Sequence, residues 1–409
     1  MTQNKVGPLV DNQTRTEAMG IETVISRYEN GRIVIPDYQR DAEQWNHRKE
    51  SLFIESIINN LTIPAFFFAK NDNGTSEVVD GQQRLTTIFK FNNNELRLSD
   101  SDDVVYLAPQ SVHYKGKIYD ELPLSYKNAF NDYLLSIINL PDGITLNTKL
   151  EIFRRINEGG TPLTSQDIRL SYYSNSNSVF FIRLAGLHSS SQYMQRIVSA
   201  GDSRGVSNPW LEQNEPWGAW CDWWEDKTLA NGQVPSEMFL WYLVTKYRSI
   251  LDTLLSSSDA MRHLTIGYRG STEEALDIFC AQLQYTDIHG GIEVFPTYST
   301  GLINDFNDFS TWINAFLSSG IAGLSVDKYK QAALVIAALV ELEITPIQLF
   351  NNEPAWANIA QFIRTPRAAG VKLLPPDGYP EPKGRWGGGK GQKAQCDSAI
   401  KIVSLIVNG

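Results

Sequence analysis

The stretch Ile63-Pro-Ala-Phe-Phe-Phe-Ala-Lys-Asn-Asp-Asn-Gly-Thr-Ser-Glu-Val-Val-Asp-Gly-Gln-Gln-Arg-Leu-Thr-Thr-Ile-Phe-Lys90 decides how the first part of the chain folds. Ile63 to Ala69 is an apolar run of strand length, Asn71-Asp-Asn-Gly74 is a strong tight-turn signal, and Ser76 to Val79 supplies a returning strand. The three together read as a hairpin. After it the pattern changes: Asp80-Gly-Gln-Gln-Arg84 is a short polar turn, and Leu85, Ile88 and Phe89 take up helical spacing. That order makes an anion site available, because the first N–H groups of a helix lack backbone partners and its dipole is positive at that end. Gly81 lets a phosphate approach the backbone closely, and Arg84 adds a planar fork suited to phosphate oxygens. Gln82 and Gln83 can orient a water or bond a nucleotide without repelling phosphate, while Asp80 is the one group able to hold a divalent cation or accept a proton. A polar Asp-Gly turn is far more often a plain connector or cap, so this box assigns no function by itself.

Two further segments flank it. Upstream, Gly31-Arg-Ile-Val-Ile-Pro36 reads as a short strand ended by proline, followed by the polar run Asp37-Tyr-Gln-Arg-Asp41 and then by a helix carrying Phe53, Ile54, Ile57, Ile58 and Leu61, with Asn59-Asn60 as its stop. Downstream, Asn147 to Asn157 is an amphipathic helix with Leu150, Phe153 and Ile156 facing inward and Arg154 and Arg155 side by side. Gly159-Gly160 ends it, and Thr164-Ser-Gln-Asp167 has the form of a capping box for a helix that carries Arg169. Taken alone, this run is a helix–loop–helix with solvated arginines.

With 409 residues, 42% of them hydrophobic, the chain has enough material for two or three cored domains, which excludes fibrous and mostly disordered classes. The longest apolar run, Ala332 to Val340, falls far short of the roughly 20 residues that span a bilayer, so a cytoplasmic protein with no membrane partner is expected. Cys221, Cys280 and Cys396 stand apart, which suggests neither a disulfide framework nor a thiolate metal site. A net charge of −10 argues against bulk electrostatic coating of nucleic acid. Character changes near residue 165. The expected fold class is α+β: a mixed domain over 15–165, a mainly helical domain over 166–362, and a basic Gly/Pro-rich loop with a closing element over 363–409.

Pro36-Asp-Tyr-Gln-Arg40, Val79-Asp-Gly-Gln-Gln-Arg-Leu-Thr-Thr87 and Phe153-Arg-Arg-Ile-Asn-Glu-Gly-Gly-Thr-Pro-Leu-Thr164, in that order, resemble the three signatures of the GmrSD restriction endonuclease N-terminal domain, over roughly residues 15 to 175. The resemblance implies a ParB/sulfiredoxin-like fold that binds and hydrolyses nucleoside triphosphate, with Mg²⁺, in bacterial anti-phage systems. It implies Asp80, Gln82, Gln83 and Arg84 as the catalytic group, with Asp80 as metal ligand. Tyr38, Gln39, Arg40, Gly81, Thr86, Thr87, Arg154, Arg155 and Asn157 would be the nucleotide-binding residues. Tyr38 stands where the family usually has Phe, and Asp41 where many members continue with Pro. Full-length relatives add an HNH-like nuclease. Here His47, His113, His188, His263 and His289 are scattered, so cleavage is expected from a partner nuclease or other defence-system protein.

Three other features stand out in the sequence. Trp210, Trp217, Trp220, Trp223, Trp224 and Trp241 crowd one window, but Trp217, Trp220 and Trp224 share a helix face amid Asp222, Glu225 and Asp226, which reads as core packing rather than base stacking. Gly384 to Gly391 imitates a phosphate loop yet lacks the Ser/Thr after Lys390, and Pro375 to Pro382 cannot be a central strand before it. Arg364 to Lys393 is basic, a solvated linker or a mobile loop able to contact nucleic acid or an acidic partner through Lys383, Arg385, Lys390 and Lys393. Three functional readings stay open: a hydrolysing regulator, a non-hydrolysing sensor of nucleotide or modified DNA, and a nuclease acting through the ParB-like domain.

Overall fold

The computed structural model describes residues 13–35, 45–71, 73–101, 104–107, 109–144, 148, 152, 155–156, 165–173, 175–186, 201, 203–206, 234–251, 273–290, 296–319, 329–364, 376–379 and 388–409. The chain divides into two compact units, Met1–Leu163 and Thr164–Gly409. The first is α+β: β1 (Arg15–Gly20), α1 (Ile21–Glu29), β2 (Ile33–Val34), α2 (His47–Ile58), β3 (Phe66–Lys70), β4 (Ser76–Asp80), α3 (Gln82–Asn92), α4 (Leu124–Asp132) and β5 (Leu134–Asn139). Its mixed sheet has the order β1-β5-β3-β4-β2, with β1/β5 and β3/β4 antiparallel and β3/β5 and β2/β4 parallel.

Side-chain alternation explains the layering. Phe66, Phe68 and Val78 point to the face covered by the apolar residues of α1 to α3, among them Val24, Ile54, Ile57, Leu85 and Ile88. Phe67, Ala69 and Val79 point to the other face, where Leu140, Ile144 and Ile152 pack. The hairpin β3–β4 turns through Gly74 at φ +83°, and Asn60, at φ +56°, lies just past the end of α2. The sequence did not announce β1 and β5. Four of the six β1 residues are exposed, because it is an edge strand with little to bury.

The second unit is helical among its described residues: α5 (Ser165–Tyr172), α6 (Asn177–Ala185), α7 (Val234–Lys246), α8 (Glu274–His289), α9 (Leu302–Ser318), α10 (Tyr329–Glu341), α11 (Pro346–Phe350), α12 (Glu353–Arg364) and α13 (Gly388–Asn408). The apolar run at Ala332 is a core helix, α10, packed against α7, α9, α12 and α13 and buried from Ala332 to Leu339. Trp241 is wholly buried on α7; the other five tryptophans of its window lie outside the described residues.

Two expectations need correction. Gly388 to Lys393 are not loop but the first turns of α13. The helix begins there because Gly389 N–H donates to Glu274 Oε2 at 2.7 Å, while Gln392 Oε1 accepts from Ala275 N–H at 2.7 Å, so the starts of α8 and α13 cap each other. A carboxylate thus sits where a phosphate loop would receive its ligand. Arg169, read as solvated, is completely buried: its Nε donates to Asp277 Oδ1 at 2.7 Å, its Nη2 lies 3.4 Å from Glu273, and its Nη1 donates to Gln166. Burial opposes the charge, yet the two carboxylates outweigh it and hold the guanidinium firmly protonated. The alternation of charge that suggests a wet surface is here one half of a buried pair.

Gly81 lies in the left-handed region at φ +99°, and a Cβ there would run into the Phe66 ring, whereas Gly74 faces open space. Gly81→Ala is expected to cost about 1–3 kcal/mol in urea unfolding and Gly74→Ala distinctly less, since only the first adds a collision to the backbone strain. Arg169→Met should cost about 3–5 kcal/mol in the same measurement, because it strands Asp277 without its counter-charge.

Candidate functional site

The box predicted from sequence forms the junction of β4 and α3. β4 ends at Asp80 opposite Phe67, next to a register shift between Phe67 and Phe68 that bends the partner strand at this point. Gly81 is the cap of α3 and contributes no side-chain cap, and the first turn of the helix carries no acidic residue. Both features leave its positive end available to an anion.

Arg84 lies one turn into α3 but points back. Its Nη2 donates to Asp80 Oδ2 at 2.7 Å, its Nη1 donates to the carbonyls of Pro64 and Ala65, the latter at 3.1 Å, and its guanidinium rests over the Phe66 ring at 4.6 Å. The residue is 8% exposed. These bonds account for three of the five guanidinium donors. Burial pushes the Asp80 carboxyl above the usual carboxylate range, and the charge of Arg84 and the Gly81 backbone N–H pull it back. Arg84 is thus first a brace that fixes the turn to the start of β3, a use that the sequence alone did not indicate.

Gln82 is buried and Gln83 partly exposed, and the Gln83 Oε1 accepts from Trp45 N–H at 3.4 Å. Thr86 is partly exposed; Thr87 is buried and its hydroxyl donates to the Gln83 carbonyl at 2.7 Å, which spends it inside the helix. Of the flanking signatures, Tyr38, Gln39, Arg40, Arg154 and Asn157 lie outside the described residues. Their described neighbours do come to the box. β2 runs parallel to β4, so the chain leaves Ile35 at the same sheet edge where β4 delivers Asp80, and it returns at Trp45 beside Gln83. From the third signature, Ile152 packs against the face that carries Val79 and Phe67, and Arg155, exposed, follows nearly one helical turn later. Trp45 and Phe66 are site residues that motif reading missed, since each is one aromatic among many in the sequence.

For a metal the donor set is narrow. Asp80 is the carboxylate of the turn, its Oδ2 already matched by Arg84, and among the described residues no group of three or more His, Cys, Asp and Glu forms a cage. His47 is taken by the Arg97 carbonyl at 2.6 Å, and His289 is an exposed ring against Tyr285. This donor set fits a magnesium carried in by a polyphosphate, with one protein carboxylate, better than an ion held by protein alone.

Residues 21–174 match the family model described as GmrSD restriction endonuclease, N-terminal domain, which runs from the first residue of α1 to just beyond α5 and contains all three signatures. No curated protein and no solved structure matches the chain. Residues 21–174, which include the box joining β4 to α3 and the other two signatures, are thus similar to the GmrSD restriction endonuclease N-terminal domain, over less than half of the chain.

Proposed function

We propose that this chain is a component of a prokaryotic anti-phage restriction system that binds and hydrolyses nucleoside triphosphate, and through it regulates nucleic-acid cleavage by a partner nuclease. The observation that carries the reading is the start of α3, where a left-handed glycine with no side-chain cap opens a helix free of first-turn acids, beside a guanidinium with donors beyond those it uses internally. The triphosphate tail lies across Gly81 and the first turn, with Arg84 on its terminal oxygens. Gln83, at the exposed side of the turn, orients the attacking water with Gln82 behind it, and Asp80 faces the magnesium that arrives with the nucleotide. Transfer of a phosphoryl group to water asks mainly for positioning and charge neutralisation, which such a turn supplies. The resemblance also assigns Tyr38, Gln39, Arg40, Arg154, Arg155 and Asn157 to the nucleotide, together with Thr86, partly exposed on α3, and Thr87, whose hydroxyl bonds within the helix. The basic stretch with Lys383 and Arg385 is the surface for nucleic acid or partner; Lys393 is tied to Asp397 at 2.7 Å. Among the described residues no helix is long and apolar enough to cross a membrane, and the reading assigns the chain to the cytoplasm.

The non-hydrolysing sensor is favoured by one feature, the Asp80–Arg84 pair, which occupies Asp80 Oδ2 and so competes with a metal for this carboxylate. Phosphate release from each of the four NTPs with Mg²⁺ separates the two: binding without release selects the sensor. In a turnover-competent protein, Gln83→Ala is expected to keep binding and to lose about tenfold or more in release, while Arg84→Lys, which keeps a charge for Asp80 but not the fork, weakens binding about tenfold by calorimetry. Wild-type protein that binds none of the four nucleotides would exclude both readings.

A further inference from the structure

The sequence holds four Asn-Gly pairs, Asn30-Gly31, Asn73-Gly74, Asn231-Gly232 and Asn408-Gly409. Such a pair is chemically labile, because a following residue without a side chain leaves its backbone nitrogen open to the asparagine side-chain carbon. Asn231-Gly232 lies outside the described residues, and the structure separates the other three. All three are exposed, and in each the glycine N–H already donates to a carbonyl: Gly31 to Tyr28 and Gly74 to Asn71, both at 2.9 Å, and Gly409 to Leu405 at 3.2 Å. Exposure and the nucleophile therefore do not rank them. The side-chain amide does.

Asn30, the cap at the end of α1, donates through Nδ2 to the Ser26 carbonyl at 2.8 Å, and Asn408, the last residue of α13, donates through Nδ2 to the Ser404 hydroxyl at 3.3 Å. There the nitrogen that would have to leave is the anchored atom. Asn73 is held the other way round. Its Oδ1 accepts from the Thr75 backbone N–H at 3.0 Å and from the Thr75 hydroxyl at 2.7 Å. The first bond folds the side chain back over its own peptide link, toward the Gly74 nitrogen. Together the two donors sit on the oxygen that becomes negative when the carbon is attacked, the arrangement that stabilises a tetrahedral intermediate.

We propose that Asn73 is a deamidation site of this protein. Hydroxide removes the Gly74 N–H proton, the nitrogen attacks Asn73 Cγ, and the Cγ–Nδ2 bond breaks, the leaving nitrogen taking a proton from water and departing as ammonia. Water then opens the cyclic imide at either carbonyl, which leaves aspartate or isoaspartate at position 73 with no change of oxidation state. Either product adds a negative charge, and isoaspartate also adds a methylene to the backbone between Asn71 and Thr75, whose N–H and carbonyl pair across the turn at 2.9 Å. The modified residue lies in the connection to β4, the strand that delivers Asp80 to the box.

The full chain, kept in mildly alkaline buffer and digested at intervals, tests this by peptide mass spectrometry, which reads the exchange of amide for acid at each pair. Asn73 should convert about tenfold or more faster than Asn30 and Asn408, and the gap between Asn73 and Asn30 should close in urea, where the Thr75 donors are lost. Thr75→Val, which keeps the backbone donor and removes the hydroxyl, should slow Asn73 about fivefold and leave Asn30 unchanged. Conversion of Asn30 or Asn408 at the rate of Asn73 in the folded protein would overturn the assignment, as would a preference for Asn73 that persists in urea or a rate that Thr75→Val leaves unchanged. The comparison of folded with urea-unfolded wild type needs no variant and carries the test should Thr75→Val fail to fold.

Discussion

A single guanidinium holds the first unit's key junction together. Arg84 leaves one helix, neutralises the carboxylate that ends β4, fastens to two carbonyls just before β3 and covers an aromatic ring on that strand. A charge so deeply placed costs desolvation, and the cost is offset only because each of its contacts is short and directional. Gly81 is obligatory for the same reason: the close approach of Phe66 that supports the guanidinium leaves no room for a side chain on the turn. Turn, ring and ion pair are one device, and each requires the other two.

This has a consequence for how a ligand would be recognised. An anion arriving at the start of α3 would meet a guanidinium that already gives three of its five donors to Asp80 and the two carbonyls, so it would have to share the group with them. In the reading proposed above, that sharing is what would separate a turnover site from a sensor.

The hairpin, the box and the helix after it were legible in the sequence because their signals are local: a run of apolar residues of strand length, an Asn/Gly turn, then a switch of hydrophobic period. The α+β division and the helical character of the later chain were legible for the same reason. The strands β1 and β5 were not: β1 is an edge strand that buries little and carries no alternation, and β5 is recognised only through its pairing with β1 and β3. Nor were the roles of Arg84 and Arg169 as internal partners. A buried arginine looks like a solvated one until its carboxylate is known, and Asp277 is far from Arg169 in the chain. The beginning of α13 was hidden by its glycines, which ordinarily weaken a helix and are rescued here by a carboxylate from α8.

The burial of Arg169 also limits where the polypeptide can be divided. The family match continues to residue 174, past the Leu163/Thr164 division, yet the arginine within that overhang is the counter-ion of Asp277 and Glu273 in the helical unit. A fragment drawn to the family boundary would carry away α5 and with it the guanidinium that pairs with buried Asp277 and partly exposed Glu273. Gene fusions, splits or proteolytic processing that keep both halves folded must therefore break the backbone ahead of Ser165, so ancestry and physical self-sufficiency mark different edges on this molecule.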